Sequence, residues 1–319
     1  MAEPNPGDPG NHWERQVLEK VALAAIQEQR RARHWGVFFK LLLFVYLFAL
    51  LFIGMGWIGK RDGSPGRHTA LVEVRGVIAH DSAASADAVT TGLQDAFKDK
   101  RTQGVILRIN SPGGSPVQAG YINDEIRRLR AKYPNIPLYA VVEDICASGG
   151  YYVAVAADRI YVDKSSIIGS IGVLMDGFGF TGTMDKLGVE RRLLSAGENK
   201  GFLDPFSPIL EAHKEHAQQM LDQIHLQFIN VVRQGRGKRL KETPDMFSGL
   251  LWVGQKSIDL GLADAYGNMD YVAREVVKAE DIVDFTPHEN VAERLAKRFG
   301  AAMGESIARF GVFNGMAVR

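Results

Sequence analysis

The sequence predicts an α/β domain, a parallel sheet with crossover helices, preceded by a single membrane-spanning helix. Three observations predict it. Between residues 69 and 148, short β-rich apolar runs alternate with stretches of helical periodicity, the pattern of parallel strands joined by helices. Residues 41–58, LLLFVYLFALLFIGMGWI, carry no charge. Two of the β-rich runs empty into small-residue turns, Asn110-Ser-Pro-Gly-Gly114 and Ala147-Ser-Gly-Gly150, and the strand ends of an α/β sheet are where ligands bind.

Composition narrows the function classes. The 38 basic and 37 acidic residues nearly cancel, which argues against a nucleic-acid surface and its basic excess. Cys146 is the only cysteine, so neither an intrachain disulfide nor a cysteine-based zinc site can form. It stands two residues before Ser148, which invites a thiol-nucleophile reading. A cysteine in an apolar β-run is more commonly a small packing residue, and that reading is preferred.

Taken in order, residues 1–12 are rich in Pro, Gly and Asn and read as disordered. Residues 13–33 place apolar side chains at helical spacing opposite charges, an amphipathic helix suited to a membrane surface or a partner. The uncharged run at 41–58 gives roughly 27 Å of helix, close to the hydrocarbon thickness. No small-residue cleavage site follows it, so a retained signal anchor over 36–59 is expected. Arg30, Arg31, Arg33 and Lys40 precede the span, against Lys60, Arg61 and Arg67 after it. That bias points to a cytoplasmic N-terminal segment, 1–34. Residues 60–68 read as a linker, 69–285 as the soluble domain, and 286–319 as an amphipathic tail.

Within the domain, 69–79 reads as a strand pair broken at Gly76, 85–100 as a helix and 104–109 as a strand. A helix is expected at 116–132, then a buried strand from 137 to Ser148. Gly113 and Gly114 let a reacting group approach the backbone and leave amide N–H groups free to meet it, although Pro-Gly-Gly is also a plain turn sequence. One unit later, Ser148 sits between a strand and a helix start. Its hydroxyl is there either as an N-cap or as an exposed nucleophile beside amide donors.

A nucleophilic serine needs a base. His213, His216 and His225 lie on one long polar helix, 208–236, and read as surface residues; His213 and His216 are one turn apart but lack a third metal ligand. His80, at the end of the first β-run, is the histidine that stays open. Lysine is the alternative, acting as a base only where its amine is desolvated or crowded by positive charge. Lys200 lies in a turn, Glu198-Asn-Lys-Gly-Phe202, flanked by glycine and aromatics.

From about 74 to 277, the chain resembles the signal peptide peptidase A family in its short, single-repeat form. The resemblance rests on Asn110-Ser-Pro-Gly-Gly114, Ala147-Ser-Gly-Gly150, Gly169-Ser-Ile-Gly-Val173, the turn from Gly197 to Lys200, and Gly261-Leu-Ala-Asp264, in that order behind one anchor. It implies a fold like the Clp protease and crotonase superfamily, with repeated β-β-α units. It implies Ser148 as nucleophile and Lys200 as general base. Ser170 would hold the lysine amine, and the amides around Gly114 and Gly149 would form an oxyanion hole. No metal or cofactor is implied. The expected partners are cleaved signal peptides and other apolar membrane peptides, the lipid itself and further copies of the chain in a ring, with no nucleic acid. The expected setting is the bacterial inner membrane, crossed once, with the domain on its outer face. Two alternatives stand beside this reading. One is a crotonase-type acyl-CoA hydratase or isomerase, for which Glu143 and Asp144 are the acids at hand. The other is an inert scaffold that keeps the fold.

Overall fold

The structure, a computed structural model, describes residues 10–54 and 66–287. Residues 10–54 form one helix, α1 (Gly10–Gly54). The expected break between an amphipathic helix at 13–33 and a separate span from 36 does not occur. No proline divides them, and the single glycine there, Gly36, costs a helix only about 1 kcal/mol. Residues 10–12, expected to be disordered, are its first turn. The end of the expected span and most of the linker lie outside the described residues. Within Gln16–Leu51, α1 is long and apolar enough to cross a membrane, with a window of mean hydropathy 1.9. Its 45 residues make about 68 Å of helix, more than twice a hydrocarbon core of roughly 30 Å. Lys40 is the one charge among residues 34–54, so the excess length lies on the side of Arg30, Arg31 and Arg33.

The second unit is built on a sheet whose strands are parallel except at one edge. Its main path runs β6 (Leu251–Val253), β5 (Ile167–Gly169), β3 (Leu138–Ala147), β2 (Thr102–Ser111), β1 (His68–Arg75), β8 (Ile282–Asp284). β3 also carries β4 (Arg159–Val162), which pairs in turn with β7 (Ala265–Tyr266). β4 takes the early part of β3 and β5 its last three residues, Ile145 to Ala147. Only β5 and β6 are antiparallel. The α/β reading therefore holds. His68, assigned to the linker, is instead the first residue of β1 and only 1 % exposed. The strand pair expected at 69–79 is one strand, ended at Gly76 by a positive φ of 82°, then a single bridge from Ile78 to Gly114.

Period-2 alternation divides the strands between two cores. Val72, Val74, Leu107, Ile109, Leu138 and Val142 point into the larger one, with α2 (Ala86–Lys98), α3 (Pro116–Lys132) and α4 (Gly149–Ala154). Leu71, Ile106 and Val141 face the other way, under a π-helical stretch, Val272–Val277. Each helix start is marked in the sequence. Ser85 caps α2 by accepting from the Ala88 N–H at 3.4 Å. Ser115 caps α3 in the same way, and Pro116 opens that helix.

Helix α6 (Glu211–Arg236) is locked at its C-terminal end. Arg236, 1 % exposed, makes two hydrogen bonds to Asp264, at 2.8 and 2.9 Å, and a third to the Gly261 carbonyl at 2.8 Å. Asp264 also accepts from the Ile160 N–H at 2.7 Å, which ties α6 to β4. The element Gly261-Leu-Ala-Asp264 is thus a buried clamp. Burial acts to raise the pKa of Asp264, but the hydrogen bonds and charge of Arg236, helped by Ile160 and Arg239, outweigh it, and the carboxyl is held low.

Candidate active site

Ser148 sits where β3 ends and α4 begins. It occupies the N-cap position, yet its side chain caps nothing, and its backbone is strained at φ 50°, ψ −122°. A non-glycine residue costs of order 1–3 kcal/mol in such a conformation. The strain aims a half-buried hydroxyl off a sharp strand-to-helix turn. It is fixed by the Ser148 N–H donating to the Gly169 carbonyl at 2.8 Å and by the Tyr152 N–H donating to the Ser148 carbonyl at 2.9 Å. The capping alternative fails on this geometry.

The turn after β2 is packed against that of Ser148. Gly113 and Gly114 have φ of 102° and 147°, open to glycine alone. A side chain on Gly113 would meet the Ser148 Cβ and the Gly149 nitrogen, and one on Gly114 would strike the Ile78 carbonyl. Ser111, fully buried, holds this turn by donating to the Gly76 carbonyl at 2.6 Å and accepting from the Gly113 N–H at 3.1 Å. The neighbours of Gly114 make the hydrogen bonds: Ile78 N–H to the Gly113 carbonyl, and Ser115 N–H to the Ile78 carbonyl. The Gly114 and Gly149 amides donate to no protein group among the described residues. They are close together, since a Cβ on Gly149 would lie 3.3 Å from the Gly114 nitrogen. Two unused donors beside a strained hydroxyl can stabilise a developing oxyanion.

These groups line a cleft of about 530 Å³ together with Ser170, Leu174, Tyr152, Ile224, Gln227 and Phe228. Ser170 also has a positive φ, 50°, and its N–H donates to the Leu250 carbonyl at 2.8 Å. An apolar groove follows from the resemblance, but the residues of α4 and α6 that form its wall were not read from the sequence. Its signal was present: His213, Ala217, Ile224, Phe228 and Val232 fall on one face of α6 at helical spacing.

Lys200 is not in this cleft. It is exposed, in the turn whose Lys200 N–H donates to the Gly197 carbonyl at 3.1 Å. His213, read as a surface residue, is 8 % exposed and hydrogen-bonds Asn199 through Nε2 at 3.1 Å. That places the lysine turn at the first turn of α6, whereas the cleft is lined from Ile224 onward. Eleven residues of helix are about 16 Å; the four-carbon stem of a lysine covers about a third of that. His80 is exposed and absent from the cleft wall. His225, also read as a surface residue, hydrogen-bonds the Ile171 carbonyl through Nε2 at 3.1 Å and so supports the loop after Ser170. Cys146 is wholly buried, and that burial pushes its thiol pKa far up, which removes the thiolate a nucleophile needs.

Glu143 and Asp144 line a different cavity, beside Arg108. Asp144 accepts from the Asn110 amide at 2.8 Å, and Glu143 pairs with Arg108. Neither acid reaches the Ser148 cleft, so a hydratase would lack its proton carrier there.

The sequence pattern of peptidase family S49 matches residues 130–283. A protein of Methanocaldococcus jannaschii named as a protease is 30 % identical over 233 residues, 70 % of this chain and 74 % of that protein. The chain belongs to peptidase family S49. Ser148, Ser170, Lys200 and the Arg236–Asp264 clamp all fall within the matched S49 region, and Gly114 lies before it. An Enterococcus faecium protein named as a signal peptide peptidase, SppA, is 29 % identical to this S49 member over 196 residues, 61 % of the chain and 56 % of that protein. A Brucella melitensis protein named as a Na⁺/H⁺ antiporter is 46 % identical over 183 residues, 57 % of the chain. The match spans a quarter of that protein's length, as it does for its Brucella abortus counterpart.

Proposed function

We propose that the protein is a membrane-anchored serine endopeptidase in which Ser148 is the nucleophile and Lys200, supplied by a neighbouring copy, is the general base. The observation that carries this is Ser148 itself: a strained, uncapped serine facing two unused amides in an apolar cleft. The lysine amine takes the Ser148 proton as Oγ attacks the peptide carbonyl, and the oxyanion is met by the Gly114 and Gly149 N–H groups. The protonated amine then gives its proton to the leaving amine. Water, deprotonated by the same lysine, releases the acyl group from Ser148. Ser170, on the cleft wall, orients the incoming amine.

Three features support completion between copies. Lys200 does not line the cleft of its own chain, and its turn is held at His213, about 16 Å of helix before Ile224 on the cleft wall. It is exposed, and docking into a neighbour's cleft supplies the desolvation a lysine base requires. The segment that carries it leaves large apolar side chains uncovered: α5 (Thr181–Leu187) buries no residue, Leu187 and Val189 are exposed, and Leu194 is 96 % exposed. Such surfaces mark interaction sites.

The substrates on this reading are extended apolar peptides left in the membrane, remnant signal peptides among them. The apolar cleft wall, the span in α1 and the name of the Enterococcus faecium relative support that class. The basic residues before the span support a cytoplasmic N-terminus, with the peptidase domain on the outer face of a bacterial inner membrane on this reading.

Lys200→Ala protein is expected to be inactive, as is Ser148→Ala protein. Co-assembling the two at equal amounts should restore roughly a quarter of the wild-type sites if each site draws on two copies. Inactive mixed assemblies would exclude a shared dyad, and an active Lys200→Ala enzyme would exclude the lysine. Gly149→Ala tests the oxyanion donors. The added methyl sits 3.3 Å from the Gly114 nitrogen, a tight contact that a shift of a few tenths of an ångström relieves, and it covers the Gly114 N–H; a thermal melt beside the kinetics checks that the fold is kept. Expected is a fall in kcat of up to about 10²-fold with little change in KM, read from peptide-cleavage kinetics.

A further inference from the structure

We infer that His213 is a positioning residue for the reaction, holding the Lys200 turn in the one arrangement from which its amine reaches a neighbour's cleft; this rests on the Ser–Lys reading above. Lys200 reaches out from a turn that is gripped on both sides by the same imidazole. Asn199, before it, accepts from His213 Nε2 at 3.1 Å. Phe202, after it, packs its ring 5.2 Å from that of His213 and meets His216 edge-on at 5.7 Å. Among the described residues of this stretch, His213 is the buried member, and Asn199 and Lys200 are exposed.

The turn has few other holds. The segment between Ser170 and α6 is mostly exposed; His225 holds its start at Ile171, far from the lysine turn in sequence, and contacts such as Phe180 stacked on Phe206 at 5.4 Å are internal to it. Helix α6 is anchored, by contrast, through Phe228, Val232 and the Arg236–Asp264 pair. His213 therefore joins the lysine turn to the rigid part of the domain. One hydrogen bond and one ring contact are small against the stability of a domain, but large against the freedom of a single surface turn. A base displaced by about 1 Å loses up to about 10²-fold in rate.

The test uses the full chain in detergent micelles, with peptide-cleavage kinetics and the rate at which a fluorophosphonate labels Ser148. His213→Ala should lower kcat and the labelling rate about 10- to 100-fold, with KM, assembly and melting temperature unchanged. His213→Gln, whose side-chain N–H can still donate to Asn199, should stay within about threefold of wild type. Adding His213→Ala to Lys200→Ala should leave the residual fluorophosphonate labelling rate of Ser148 unchanged, because the residue acts only through the lysine. If His213→Ala does not assemble, Asn199→Ala removes the same hydrogen bond from the exposed side and should reproduce the loss. Wild-type kcat in His213→Ala, or a further loss of labelling on top of Lys200→Ala, overturns the proposal. An active Lys200→Ala enzyme overturns the dyad itself; an inactive Lys200→Ala beside a fully active His213→Ala overturns the positioning role alone.

Discussion

Replacing Ser148 with alanine is expected to lower kcat/KM for peptide cleavage by at least about 10⁴-fold, the scale on which serine hydrolases lose activity with their nucleophile. Alanine keeps the backbone strain and the two free amides, so the protein should fold, assemble and still bind peptide. Glycine at the same position separates strain from chemistry. Ser148 is held at φ 50°, a conformation glycine adopts readily. Ser148→Gly should therefore be as inactive as the alanine variant yet more stable than wild type by about 1 kcal/mol, seen in denaturant unfolding. Measurable turnover in either variant would move the nucleophile elsewhere. A glycine variant less stable than wild type would mean that the Ser148 side chain makes contacts that matter to the fold.

The second large effect concerns stability. Asp264→Asn leaves Arg236 buried without its counter-charge, and breaking a buried pair on one side costs about 3–5 kcal/mol. For a domain of this size the melting temperature should fall on the order of 10 °C. The pH dependence has a definite sign. The folded carboxyl of Asp264 titrates below its ordinary range because Arg236 offsets the burial cost. Its contribution is complete above the unfolded carboxylate value of about 3.9 and is lost as pH falls through the lower, folded value. Thermal melts between pH 6 and 3 should show wild type losing more stability than Asp264→Asn on the acid side. Parallel curves would remove Asp264 from the acid response.

Much of the architecture was legible because local signals were consistent. Ser85 and Ser115-Pro116 mark helix starts, alternation in β1 to β3 sorts two cores, and the glycines at 113 and 114 sit where the turn excludes any side chain. What escaped depended on distance. The amphipathic run and the apolar run each look like a helix in a local window, and only their direct continuity makes them α1. His213 looks like one polar residue among many on α6, because the partner that buries it, Phe202, comes from a turn outside the helix. Within the candidate site, Ser148 could be found by its strand-to-helix context. The position of Lys200 could not, since it is set by where α6 begins and by the His213 contact that holds its turn there.

Cys146 carries a practical consequence. It is the only thiol in 319 residues, it lies in the last stretch of β3, and it has no exposed surface. Maleimides and other alkylating reagents should find nothing to react with in the native protein, so the rate of its modification counts the molecules that have opened their central sheet. The same silence makes the chain ready for spectroscopy. A cysteine introduced on an exposed loop would be the sole attachment point for a fluorophore or spin label, with no native thiol to remove first.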